Sequence, residues 1–135
     1  MINDESNLNV QISNDQNGHG RFDLEERTAV FGENCIRFGK KIGINPVTYG
    51  ILSQFVRAAT SVGANYSEAN DAESKKDFRH KIGICRKESK ETKFWLRMIA
   101  TADPSLRDEA AGLWQEAKEL NLIFSSIVRK CDRKR

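Results

Sequence analysis

The chain has 135 residues, of which 39% are hydrophobic and 30% charged, with a formal net charge of +3. That length suits one domain, or one domain with a tail, and the apolar fraction is adequate for a core. No apolar run approaches the roughly 18 residues needed to span a bilayer, and the acidic, Asn-rich N-terminus resembles neither a secretory signal nor a transit peptide. A soluble, cytoplasmic protein without membrane contact is therefore expected.

Residues 1–21 are polar and nearly free of large apolar side chains. They cannot bury enough surface to offset their ordering entropy and are expected to form a disordered tail, leaving residues 22–135 as the folded domain. Helix one is predicted to start at Asp23, which forms a capping-box pattern with Glu26. Its apolar face carries Leu24, Thr28, Phe31, Cys35, Phe38 and Ile42, and Gly43 is expected to close it in a left-handed cap conformation.

Asn45-Pro46 predicts a cap followed by proline at the first helical position. Helix two then carries Thr48, Leu52, Phe55, Ala59, Val62 and Tyr66 on one stripe. Ser74 is the expected cap of helix three, whose stripe holds Phe78, Ile82, Cys85, Ser89, Thr92, Leu96 and Ile99. Asp103-Pro104 repeats the cap-and-proline device before helix four, with Leu106, Ala110, Leu113, Ala117, Leu120, Phe124, Ile127 and Cys131. Every seam alternates spacings of four and three, the pattern of near-parallel helix packing, and the links are only a few residues long. The expected fold is all-α, an antiparallel up-down-up-down four-helix bundle.

Val30, Tyr49, Ile51, Phe94, Trp95, Trp114 and Ile123 lie beside or away from these seams. So many large apolar groups exceed one small core, and self-association through a second face is expected. The cysteines, Cys35, Cys85 and Cys131, all fall on seams and read as small buried hydrophobes with reduced thiols.

Catalytic and metal chemistry find little support. A di-metal bundle site needs Glu-x-x-His pairs, and none occurs; His19 sits in the tail and His80 between two basic residues. No cofactor is expected. On helix two, Arg57, Ser61, Asn65 and Glu68 form a polar stripe, and register brings Arg57 opposite Glu88 or Glu91 of helix three.

Charge is unevenly spread. Residues 75–97 hold nine Lys/Arg against three acids, whereas residues 1–27 hold six acids against two bases. Arg79, Arg86 and Lys93 recur every seven residues on one flank of helix three, and Lys75, Lys76, Lys87, Lys90 and Arg97 fill out its basic run. With Arg129, Lys130, Arg133, Lys134 and Arg135 they form a surface able to track a phosphate backbone of RNA or DNA. No platform of basic and aromatic residues is apparent, so weak sequence discrimination is expected.

Five stretches on three helices carry a resemblance to a known family. Phe22-Asp-Leu-Glu-Glu-Arg-Thr28 opens helix one, and Arg57-x3-Ser61-x3-Asn65-x2-Glu68 marks helix two. Ser74-Lys-Lys-Asp-Phe78, Lys87-Glu-Ser-Lys-Glu-Thr92 and Phe94-Trp-Leu96 mark helix three. Together they resemble the 23S rRNA intervening-sequence proteins, bacterial four-helix bundles of which some are encoded inside insertions in ribosomal RNA genes. The chain has Asn65-Tyr-Ser-Glu-Ala69 where that family usually has Asn-Ile-Ala-Glu-Gly. Family members are similar to a retroelement accessory protein that forms a pentameric barrel with a basic surface and binds RNA. The resemblance thus implies a homopentamer, and as partners a nucleic acid or, alternatively, a neighbour-encoded enzyme such as a reverse transcriptase.

Overall fold

The computed structural model of the protein describes residues 20–133. His19, Lys134, Arg135 and most of the expected tail lie outside that range. Four helices account for nearly all of it: α1 (Gly20–Gly39), α2 (Thr48–Asn70), α3 (Lys75–Ala102) and α4 (Arg107–Arg133), with a 3-10 turn at Pro104–Leu106 before α4. No strand occurs among the described residues.

The caps show why the chain breaks where it does. Asn45 Oδ1 accepts from the backbone N–H groups of Val47 (2.8 Å) and Thr48 (3.0 Å), while Thr48 Oγ1 accepts from the Asn45 N–H at 3.0 Å. This reciprocal capping satisfies donors that the first helical turn leaves free. Ser74, in extended backbone conformation, accepts from the Asp77 N–H at 3.0 Å and starts α3. Asp103 Oδ1 accepts from the Ser105 N–H at 3.2 Å, so the cap-and-proline pair leads through the 3-10 turn into α4.

Two boundaries differ from the sequence expectation. Helix α1 begins at Gly20, upstream of Asp23, and ends at Gly39. No glycine among the described residues has positive φ, so Gly43 is not a left-handed cap. Tight turns close the end instead: Lys41 N–H donates to Phe38 O, Ile42 N–H to Gly39 O, and Thr48 Oγ1 donates to Gly43 O at 2.6 Å. That side-chain bond holds the connection without a left-handed residue.

The seams meet in one core. Phe31, Cys35 and Phe38 of α1, Phe55, Ala59 and Val62 of α2, Ile82, Cys85, Leu96 and Ile99 of α3, and Ala117, Leu120 and Phe124 of α4 are all buried. Phe38 and Phe55 meet edge-on with centroids 5.9 Å apart. Each large side chain so enclosed contributes about 1.5–3 kcal/mol from removed apolar surface. The buried hydroxyls of α3 are satisfied within that helix: Thr92 Oγ1 donates to Glu88 O and Ser89 Oγ to Arg86 O. Toward the end of α4, Val128 is buried in place of the expected Ile127, which is half-buried along with Cys131. A straight helix drifts away from a strict four-three repeat, and the seam follows that drift.

Helix α1 packs on α2 and α4, and α3 packs on the same two, with no α1–α3 or α2–α4 contact of comparable extent. At Gly63 the backbones of α2 and α1 come close, and a Cβ there would sit 3.2 Å from Thr28 O of α1. Across the other pairs, Arg57 meets Glu88 and Glu91 while Lys81 meets Glu68. Asn121 of α4 donates to Arg86 O at 2.8 Å, and Arg79 meets Asp132.

Candidate nucleic-acid interface

Helix α3 turns one stripe inward and leaves the rest of its circumference to cations. Lys75, Lys76, Lys87, Lys90 and Arg97 are exposed; Arg79, Arg86 and Lys93 are half-buried. On the last turns of α4, Arg129, Lys130 and Arg133 are exposed, and Lys134 lies outside the described residues.

The structure separates these residues into two neighbourhoods. Lys75, Lys76 and Arg79 border a cavity of about 900 Å³ beside the α2–α3 turn and the end of α4. There Arg79 is engaged by Asp132, with Nε–Oδ1 at 3.1 Å and Nη2–Oδ2 at 3.3 Å. Ser74 Oγ is committed to the Asp77 N–H. Further along, Lys87, Lys90, Lys93 and Arg97 border a groove of about 430 Å³ with Glu91, Phe94 and Trp114. Among the described residues, the side chains of Lys75, Lys76, Arg86, Lys87, Lys90 and Arg97 have no acidic partner.

The second neighbourhood corrects the sequence reading, which found no basic and aromatic residues together. Phe94 is 51% and Trp114 36% exposed, inside the same cationic groove. Lys93 Nζ lies 5.1 Å and Lys118 Nζ 5.7 Å from the Trp114 ring centroid, within cation–π range. The signal in the sequence was the pair of aromatics left off the seams; their placement on different helices hid their proximity.

The polar stripe of α2 does not converge on one site. Arg57 Nη1 donates to Glu88 Oε2 and Nη2 to Glu91 Oε1, each at 2.6 Å. Ser61 Oγ donates instead to Arg57 O and Asn65 Nδ2 to Ser61 O, both within α2, and Glu68 accepts from Lys81. Burial alone would push the Glu91 carboxyl up, but hydrogen bonds from Arg57 and the Trp95 indole hold it below its ordinary value. The hydrogen bonds that Arg57 donates to Glu91 and Glu88 raise its own value in turn. Both carboxylates are thus held by a guanidinium, which suits a structural clamp better than proton transfer.

A second clamp escaped the sequence reading. Arg27 of α1 donates to Glu116 of α4 through Nε and Nη2, both at 2.8 Å, and to Glu119 at 3.2 Å. Each of these residues directly precedes a buried seam position (Thr28, Ala117 and Leu120), and that flanking position was the available clue. Burial pushes the thiols of Cys35 and Cys85 up to about 12, so neither is a thiolate at neutral pH. Among the described residues no cluster of His, Cys, Asp and Glu is arranged to hold a metal ion, and no helix is long and apolar enough to cross a membrane.

A four-helix protein with ion-paired seams and one helix that is cationic on its outward face is the class these features define. Within it, the chain belongs to the 23S rRNA-intervening sequence protein family, whose pattern matches residues 24–129. It is similar in structure to a protein of unknown function from the S23 ribosomal protein family of Bacteroides thetaiotaomicron, with a TM-score of 0.68 and 26% identity. That similarity covers 78% of this chain and 97% of the other. No functionally curated protein matches the chain.

Proposed function

We propose that the protein is a non-catalytic homo-oligomer that binds RNA, or another nucleic acid, through phosphate contacts on the outer face of α3. The observation that carries this reading is the set of α3 cations that have no acidic partner among the described residues: Lys75, Lys76, Arg86, Lys87, Lys90 and Arg97. Arg79 and Lys81 of the same helix, and Arg27, Lys41 and Arg57 on the others, are matched to carboxylates. Cations retained without partners on one helix make a surface that binding to a polyanion would neutralise, releasing condensed counterions.

Self-association uses the exposed apolar residues at the α1–α2 connection. Ile44 is 71%, Val47 68% and Tyr49 68% exposed, with Ile36 nearby in sequence on α1. Soluble monomers seldom leave such patches bare. A pentamer is the favoured assembly, by the family's similarity to a pentameric retroelement accessory protein. The helix pairings, in which higher numbers on one helix meet lower numbers on the next, support an antiparallel up-down-up-down order within each copy.

The test is RNA affinity as a function of salt. Affinity should fall steeply between 50 and 200 mM, by about 0.7–0.9 logarithmic units per tenfold rise in salt for each phosphate neutralised. Absence of binding at low salt, or a flat dependence, contradicts the reading. The same apolar patch favours a second reading, a scaffold for a neighbour-encoded protein such as a reverse transcriptase. Substitutions at Val47 and Tyr49 would then abolish capture of that protein without changing the mass of the chain alone, whereas under self-association they would dissociate the oligomer.

A further inference from the structure

We infer that the groove between α3 and α4 is a stacking site for unpaired bases of single-stranded RNA, with Phe94 and Trp114 as the platform and Lys87, Lys90 and Arg97 holding the flanking phosphates. The inference rests on the nucleic-acid reading above and adds which strand state is selected and where.

The groove is cationic in fact as well as in composition. Its one acid, Glu91, is already bonded to Arg57 at 2.6 Å and to the Trp95 indole at 3.2 Å. Phe94 is also held in place. Its ring meets Trp95 edge-on at 5.0 Å, and Trp95 is tied through Glu91 to Arg57 on α2. A chain of contacts therefore runs from an ion pair to an exposed ring, fixing that ring before any ligand arrives and reducing the entropy lost on binding.

Trp114 shows a complementary feature. Two ammonium groups, Lys93 and Lys118, sit over its ring. Phosphates entering the groove draw those flexible lysines away, and a base takes the ring face they leave. Base–aromatic stacking is comparable in strength to the two exposed cation–π contacts given up, and the phosphate contacts that the lysines gain make the exchange favourable. At about 430 Å³ the groove has the scale of a small-ligand site and not of a helix. Bases inside a duplex are already stacked on one another, whereas those of a single strand can be splayed onto side chains.

The lining of the groove sets four cations, Lys87, Lys90, Lys93 and Arg97, against the one acid Glu91, and a polyanion supplies the negative charge it lacks.

The experiment uses the full chain with a short oligouridylate, single-stranded and as its duplex with oligoadenylate, followed by anisotropy and tryptophan fluorescence. The single strand should bind more tightly and quench fluorescence. Trp114→Ala should weaken single-strand binding by about tenfold and leave duplex binding unchanged. Trp114→Phe should restore affinity while removing most of the quenching, and Phe94→Ala, at the more exposed ring, should repeat the selective loss. Equal affinity for both forms, or alanine variants that bind the single strand like wild type or lose both forms equally, overturns the stacking site and leaves phosphate binding standing. No binding of either form at low salt removes the nucleic-acid reading and the stacking site together.

Discussion

Arg57 and Glu88 are 31 positions apart in the chain, yet Nη1 of one donates to Oε2 of the other at 2.6 Å across the α2–α3 pair. The Glu88 side chain is almost fully enclosed, while the guanidinium stays about half in water and also reaches Glu91. A buried carboxylate is tolerated because its partner charge arrives with a hydrogen bond, and the pairing fixes how the two helices slide against each other.

Removing that partner should be costly. Arg57→Ala leaves Glu88 enclosed and uncompensated, and should lower stability by about 1–3 kcal/mol, the lower end reflecting the exposed guanidinium. Urea unfolding of Arg57→Ala, Glu88→Ala and the double variant should give a coupling of about 0.5–3 kcal/mol. Additive effects would show that the contact contributes nothing of its own.

Acid should dissolve part of the same clamp. The Glu91 carboxyl is held below its ordinary value of 4.5, so the folded state binds its proton less readily than the unfolded state. The resulting stabilisation is fully present above 4.5 and is lost as pH falls through the lower folded value. The stability advantage of wild type over Glu91→Gln should therefore shrink on acidification below 4.5. An advantage that stays constant or grows there would contradict the assignment.

Two glycines should respond to alanine in opposite directions. At Gly63 a Cβ would press on Thr28 O of the neighbouring helix at 3.2 Å, and backbone cannot yield without moving α1. Gly63→Ala should destabilise by about 1–3 kcal/mol despite its better helix propensity. At Gly112, in α4, nothing lies within 4 Å, and Gly112→Ala should stabilise by about 0.5–1 kcal/mol. Thermal unfolding of both variants decides; stabilisation at Gly63 would mean that α1 and α2 are not so closely held.

Thiol labelling should discriminate the three cysteines. Cys35 and Cys85 are buried with thiols pushed up to about 12, and Cys85 Sγ lies 3.5 Å from Val62 O. Cys131 is half-buried. Under native conditions a thiol reagent at neutral pH should modify Cys131 first, the other two reacting only on unfolding. Rapid native labelling of Cys35 would contradict the packing of α1.

Much of the helical layout was legible because local chemistry and seam spacing agree. Asn45, Ser74 and Asp103 cap as their side chains predict, and the register that sets Arg57 against Glu88 and Glu91 follows from counting back from a short turn. The misses share a physical origin. Gly43 reads as a left-handed cap only while the bond from Thr48 to its carbonyl is unknown. The Arg27–Glu116 clamp and the Phe94–Trp114 groove each join helices far apart in sequence. One-helix periodicity shows which side of a helix faces out, and says nothing about which outward residues of two helices become neighbours.

Light scattering of the full chain, alone and with single-stranded RNA at low salt, reads assembly and RNA binding together. The free species should have a multiple of the 15.3 kDa chain mass, five copies by the favoured assembly, should gain mass when RNA is added and should lose the gain at high salt. A single 15.3 kDa species whose mass RNA does not change would contradict both the assembly and the binding surface.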